Sequence, residues 1–299
     1  MPSLPLEYIL PVTVSEQRLD AVLGSVFPGL GLRGRRRLWT WCLILVNGKP
    51  AAPGHMINAG DILRVESRSP VSGSGRSKTS LHLVSREGSF LALAKPPGLH
   101  TARIAGSPEQ SLEEVLEREW TVLAAEFIEQ TSNGALLPRL LTRLDKDTSG
   151  LVLAALTDEA EQLFREQERR GEVEKTYRAV ISGCLSGELL LTNRLLTNNR
   201  VRTYVLDEHE ADSTRYTLVR PLEYGRLTSG EEVTLVEAVI RRGARHQIRA
   251  HLARAGCPII GDVLYGGPAG LRLYLHHCRS VMPGFSAQLP VEWRPDMIL

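Results

Sequence analysis

Residues 68–80 constrain this chain more than any other stretch. The segment Arg-Ser-Pro-Val-Ser-Gly-Ser-Gly-Arg-Ser-Lys-Thr-Ser has no apolar period and is rich in Ser and Gly, the composition of a flexible linker. A 299-residue chain interrupted there reads as two domains, residues 1–67 and residues 81–299. Charge divides the same way. Residues 1–80 hold ten Lys/Arg against five Asp/Glu, whereas the remainder holds 26 against 29. A basic first piece indicates a polyanion partner, and the larger body then has a separate task.

The composition, 42% hydrophobic and 23% charged, suits a globular protein. The longest uncharged apolar runs, such as Leu151 to Leu156, fall far short of the ~20 residues that span a bilayer. No basic residue precedes an apolar core at the N-terminus, so no signal peptide is read. Cys42, Cys184, Cys257 and Cys278 are scattered without close pairing, which argues against a disulfide framework. The expectation is a cytoplasmic protein, monomeric and without a membrane partner.

In the first piece, Leu19, Val22, Leu23 and Val26 recur at helical spacing behind a candidate cap at Ser15. A second short helix is predicted over Arg35 to Trp41, a strand over Leu43 to Val46, a tight turn at Asn47-Gly48 and another strand over Asp61 to Glu66. This order resembles the RNA-binding domain of the ribosomal protein S-four type. The matching residues are Arg18-Leu19-Asp20, the arginine-bearing helix, Val46-Asn47-Gly48-Lys49 and Gly60-Asp61. The resemblance implies that Arg35, Arg36 and Arg37, beside Arg33, meet RNA phosphates; without it they would read as a solvated helix face.

The second piece mixes strands and helices without regular alternation. A hairpin is predicted over residues 81–84 and 90–94, ended by Lys95-Pro96-Pro97-Gly98. A helix carries Leu112, Val115, Leu116, Trp120 and Leu123, and Leu151 to Leu156 is a buried-type strand. Thr157 caps a helix with Leu163 and Phe164, strands follow at 173–181 and 233–240, and a helix runs from His246 to Ala255 before Gly256. The fold class is therefore α+β, with a largely antiparallel mixed sheet flanked by helices.

The chemistry concentrates in Arg143-Leu144-Asp145-Lys146-Asp147-Thr148-Ser149-Gly150, which runs straight into the apolar strand. A carboxylate there is aimed from a rigid base, although Asp145 or Asp147 in a turn is also a common way to cap Thr148 or Ser149. The segment Arg-Leu-Asp-x-x-Thr-Ser-Gly resembles the signature of the RluA family of pseudouridine synthases. Further matches follow in order: Lys95-Pro96-Pro97-Gly98, Lys175-Thr176-Tyr177, His246-Gln247-Ile248-Arg249-x-His251-Leu252, Gly261-Asp262 with Leu264-Tyr265-Gly266, and Leu275-His276. Several ordered motifs carry far more weight than one.

These enzymes break the bond from the uracil nitrogen to ribose, turn the base and rejoin it through carbon, with the uridine out of its stack. The resemblance assigns Asp145 as the essential carboxylate, acting as nucleophile or proton acceptor. It makes Arg249 the guanidinium paired with Asp145, and Tyr177 the aromatic face against the flipped base, with a hydroxyl suited to proton transfer. Arg143 would enter the stack beside that base, while Arg245, His246 and Gln247 join the substrate-binding set. Two departures stand out: Thr142 occupies a position where the family commonly has His, and Ala244 with Arg245 displaces an arginine by one place.

No metal or cofactor is expected. His251, Cys257, His276, His277 and Cys278 lack paired Cys-x-x-Cys knuckles, and no glycine-rich phosphate loop opens a helix. The partner is RNA, with ribosomal RNA of the large subunit favoured over transfer RNA. The rival readings are a non-catalytic RNA-binding or ribosome-assembly protein on the same fold, and a hydrolase using Asp145 and Asp147. The second fits poorly, since residues two apart are unlikely to flank one bond.

Overall fold

The structure, a computed structural model, describes residues 6–9, 17–26, 42–52, 54–67, 80–104, 109–127, 137–199, 201–227 and 230–293. The chain divides into two units: Met1–Arg76 with Pro268–Arg272, and Ser77–Gly267 with Leu273–Leu299. The arginines at 33 and 35–37, the predicted helix that bears them and residues 68–79 lie outside the described residues.

In the first unit the helix Leu19–Val26 buries Leu19, Val22 and Leu23, the expected apolar face. A four-stranded antiparallel sheet has the order Leu6–Ile9, Ile62–Ser67, Cys42–Val46, Lys49–Pro50. Its hairpin turns at Asn47 and Gly48, both at positive φ, and the Asn47 side chain bridges Asp61 and the Ile62 N–H at 2.7 and 2.9 Å.

The second unit is built on a ten-stranded sheet. Eight strands follow one path: Leu189–Leu191, Thr217–Arg226, Glu232–Ile240, Glu174–Ser182, Leu275–Met282, Ser149–Ala155, Phe90–Lys95, His82–Glu87. Arg139–Leu140 pairs beside Ser149–Ala155, and Phe285–Gln288 pairs with Leu275–Met282. Every pairing in this sheet is antiparallel except one, between Ser149–Ala155 and Leu275–Met282.

All seven residues of Ser149–Ala155 are buried, which explains the continuous apolar run: both sheet faces are covered. Val152 and Ala154 join one core with Leu112, Val115, Leu116 and Trp120 of the helix Leu112–Phe127, and with Ile248 and Leu252 of the helix Gln247–Arg254. Leu151, Leu153 and Ala155 join the other with Phe164 of the helix Asp158–Arg169. That helix opens as expected, with Thr157 Oγ1 accepting from the Ala160 N–H at 3.2 Å. The α+β class with a mostly antiparallel sheet is what the fold shows. No helix among the described residues is long and apolar enough to cross a membrane.

Candidate active site

Three clamps hold the segment before Ser149–Ala155. Thr142 is buried and its hydroxyl accepts from the Leu153 N–H at 2.9 Å, so this departure from the family pattern serves as a backbone brace. Thr101 Oγ1 both donates to the Leu144 carbonyl (2.8 Å) and accepts from the Leu144 N–H (3.0 Å). Lys95 is 1% exposed, and its ammonium donates to the carbonyls of Pro96, Leu99 and Lys146 at 2.9, 2.7 and 3.0 Å. Three donors meeting three carbonyls offset the desolvation of a buried cation. Gly98 N–H adds 2.8 Å to the same Lys146 carbonyl, so the Lys-Pro-Pro-Gly turn grips the residue after Asp145.

Asp145 emerges half-buried from this frame. Arg249 Nη1 donates to its Oδ2 at 3.0 Å, and His246 Nε2 lies 3.7 Å from Oδ1. Arg249 is anchored from behind: its Nε and Nη2 make a two-pronged pair with Asp262 Oδ2 and Oδ1 at 2.7 and 2.8 Å. The Asp262 side chain has no exposure and that of Arg249 has 9%. Burial opposes the guanidinium's charge, but the hydrogen bonds and charges of Asp262 and Asp145 outweigh it and raise its pKa. Arg249 therefore presents a fixed positive edge to Asp145.

His246 caps the helix from a left-handed backbone (φ 56°), and its Nδ1 lies 3.1 Å from the Tyr265 hydroxyl. Burial lowers its pKa despite the nearby Asp145 charge, so the ring is neutral at neutral pH. The Tyr265 ring lies 5.3 Å from the Arg249 guanidinium and 4.8 Å from that of Arg202.

Tyr177 sits on the central strand Glu174–Ser182 with 7% of its surface exposed. Its ring stacks on His277, with centroids 4.6 Å apart and planes 16° from parallel. Burial, and then the charge of Asp145, raise the phenol's pKa, so it remains protonated. Its hydroxyl makes no hydrogen bond among the described residues. Gly150, in the Thr-Ser-Gly end of the motif, pairs with His277 at the one parallel junction. With φ at +119°, a Cβ there would lie 2.3 Å from the His277 carbonyl oxygen, so only glycine fits.

The other sequence candidates separate. Arg143 is exposed and forms no hydrogen bond or ion pair among the described residues. Gln247 is buried, its amide spent on the Ala244 N–H, the Arg215 carbonyl and Thr217. Arg245 donates to the carbonyls of Thr197, Asn199 and Arg202. Arg245 and Gln247 line a cavity of about 320 Å³ with Asn193, Glu210 and Arg215, whose lining does not include Asp145, Tyr177 or Arg249. Among the described residues, no group of three His, Cys, Asp or Glu side chains is placed to hold a metal.

Residues 89–254, more than half the chain and the part that carries Asp145, Tyr177 and Arg249, match the model of the RNA pseudouridylate synthase family. The chain belongs to that family. It is an RNA pseudouridine synthase, an isomerase. Among its relatives, ribosomal large subunit pseudouridine synthase D of Xanthomonas campestris pv. campestris is 28% identical over 267 residues, covering 87% of this chain and 74% of the relative. The protein of that name in Pseudomonas aeruginosa is 27% identical over 266 residues, 86% and 76%. The fold is shared with human RNA pseudouridylate synthase domain containing 1, at TM-score 0.55 and 22% identity over 73% of this chain and 86% of that one.

Asp262 and Tyr265 are landmarks of the sequence motifs without a task assigned there, and His277, which the sequence offers as a hydrogen-bonded core histidine more readily than as a metal ligand, is buried and bonded to the Leu151 carbonyl. The Gly-Asp turn was the available signal for Asp262; nothing local indicates that His277 faces Tyr177.

Proposed function

We propose that this synthase isomerises uridines of large-subunit ribosomal RNA, with Asp145 as its essential carboxylate. In the reaction the N1 glycosidic bond breaks, the uracil turns, C5 bonds to the ribose carbon, and C5 gives up a proton as N1 gains one. Atoms and electrons balance within the substrate, so no redox partner is consumed. Arg249 holds Asp145 in place through its 3.0 Å hydrogen bond, Tyr177 backs the flipped base, and its protonated hydroxyl can pass a proton but is a poor base. The observation that carries this reading is the Asp262–Arg249–Asp145 chain, a half-buried carboxylate held by a guanidinium that is itself locked.

Arg143, exposed two residues before Asp145, is available to the RNA stack, as is His246, 3.7 Å from the Asp145 carboxylate, while Arg245 would meet RNA at the separate cavity that it lines. Residues 1–67 supply an RNA-binding domain of the S-four type, tethered by residues 68–80, with Arg35, Arg36 and Arg37 on phosphates. The names of the Xanthomonas and Pseudomonas relatives support ribosomal RNA as the substrate. The protein works as a monomer in the cytoplasm.

Two measurements test this. Asp145→Asn should fold and bind RNA yet form no pseudouridine, whereas Asp147→Asn keeps turnover; an active Asp145→Asn sinks the assignment. Mapping pseudouridine in cells with and without the protein should show a site lost from large-subunit ribosomal RNA. A loss confined to transfer RNA would overturn the substrate.

A further inference from the structure

We infer that His277 is a positioning residue that sets the plane of the Tyr177 ring against the Asp145 segment. This rests on the proposed role of Tyr177.

The strand pairing supplies the first argument. Thr176 pairs with Arg279 and Tyr177 with His277, so Cys278 is bulged out of the ladder. In an unbroken register Tyr177 would face Cys278, whose thiol instead donates to the Thr176 carbonyl at 3.3 Å. The bulge re-aims the strand so that two flat rings meet.

The second argument is how the imidazole is held. Its Nδ1 lies 2.7 Å from the Leu151 carbonyl, an acceptor only, so Nδ1 carries the proton and donates. The parallel ladder has only two pairs, Ser149 with His276 and Gly150 with His277; one residue further on, Leu151 is bonded by the His277 side chain. One fully buried ring thus contacts the strand that leaves the Asp145 loop through its N–H, and Tyr177 through its face. Burial holds it neutral, so it sets geometry without placing a cation against the Tyr177 ring. With one face of Tyr177 taken by His277, the opposite face is the one left for a planar pyrimidine.

The test uses the full chain and total RNA labelled with 5-tritiated uridine, from cells lacking the protein. Tritium is released as C5 joins the ribose. Single-turnover rate at saturating RNA, RNA affinity and unfolding temperature are measured for His277→Ala, His277→Phe and His277→Asn, alone and combined with Tyr177→Ala. His277→Ala should lose about 10- to 100-fold in saturating rate, the penalty for a mis-set reacting geometry, with affinity within about two-fold. His277→Phe, which keeps a flat face, should recover part of the loss, and neither substitution should add its full loss to that of Tyr177→Ala.

If His277→Ala fails to fold, Phe and Asn carry the comparison. A folded variant that melts lower but turns over at the parent rate overturns the inference, as does a loss that adds in full to that of Tyr177→Ala. Parent rates from Tyr177→Ala itself would sink the proposed role of Tyr177 as well; loss from Tyr177→Ala alone sinks only His277.

Discussion

Asp262→Asn is the sharpest perturbation of the site, because it changes one charge and almost no volume. The carboxylate has no exposure and takes two Arg249 hydrogen bonds, at 2.7 and 2.8 Å. Asparagine offers one oxygen and turns an NH₂ toward a guanidinium that has no acceptor. Arg249 stays charged and buried, with Asp145 its sole remaining anion among the groups it bonds. Removing one partner of a buried pair costs about 3–5 kcal/mol. At ~2–4 °C per kcal/mol for a unit of this size, the unfolding temperature should drop by roughly 6–20 °C. Activity should fall as well, since a guanidinium released from behind can rotate onto Asp145, and a 1 Å displacement can cost about 100-fold. The assay is thermal unfolding by circular dichroism, then single-turnover pseudouridine formation well below the lowered midpoint. A variant melting within about 1 °C of the parent, at parent rate, would refute Asp262 as the anchor.

Three further outcomes are expected. Gly150→Ala should destabilise by roughly 2–6 kcal/mol in urea titration, combining a left-handed backbone with overlap at the His277 carbonyl; parent-like stability would mean the junction yields freely. Tyr177→Phe keeps the ring and should bind RNA normally while losing about 100-fold or more in rate if the hydroxyl passes a proton; an unchanged rate leaves stacking as the ring's whole task. Stability should fall as pH drops below about 6.5, because burial lowers the pKa of His246, His251 and His277, the last pushed down to about 3. The unfolded chain takes up protons that the folded chain refuses, so the contribution is complete above 6.5 and is lost toward 3. Urea midpoints between pH 8 and 5 report it, and His277→Phe should flatten the slope; a midpoint that rises on acidification contradicts the sign.

The strands and helices that surround the site were legible because their local patterns agree with their burial. Ser149–Ala155 and Glu174–Ser182 read correctly to within a residue or two, and the helix Asp158–Arg169 starts behind the cap expected at Thr157. Thr217–Arg226 did not, because Pro221 and Gly225 break its pattern; Pro221 is tolerated where the register slips against Glu232–Ile240. The two-stranded pair Asn193–Leu196 and Tyr204–His209 is half exposed and short, with no alternation to find. In the site, the ordered motifs single out Asp145 and Arg249, whose side chains lie 3.0 Å apart. Their shared dependence on Asp262 is a three-dimensional fact that no spacing along the chain encodes.

The parallel junction in the large sheet also sets the order in which the strands around the site can be joined. Ser149 and His276, joined there at 2.8 Å, stand 127 residues apart along the chain. The strand Leu275–Met282 inserts between the strand bearing Tyr177 and the strand that follows Asp145, so until it is present each has only its other neighbour, Glu232–Ile240 and Phe90–Lys95, and the two are not joined. A nascent chain that has left the ribosome only as far as residue 270 holds both residues but not the wall that brings them into register. Contacts so distant in sequence form late, after the local hairpins. Synthesis must therefore pass Leu275–Met282 before the strand bearing Tyr177 and the strand that follows Asp145 can be joined in one sheet.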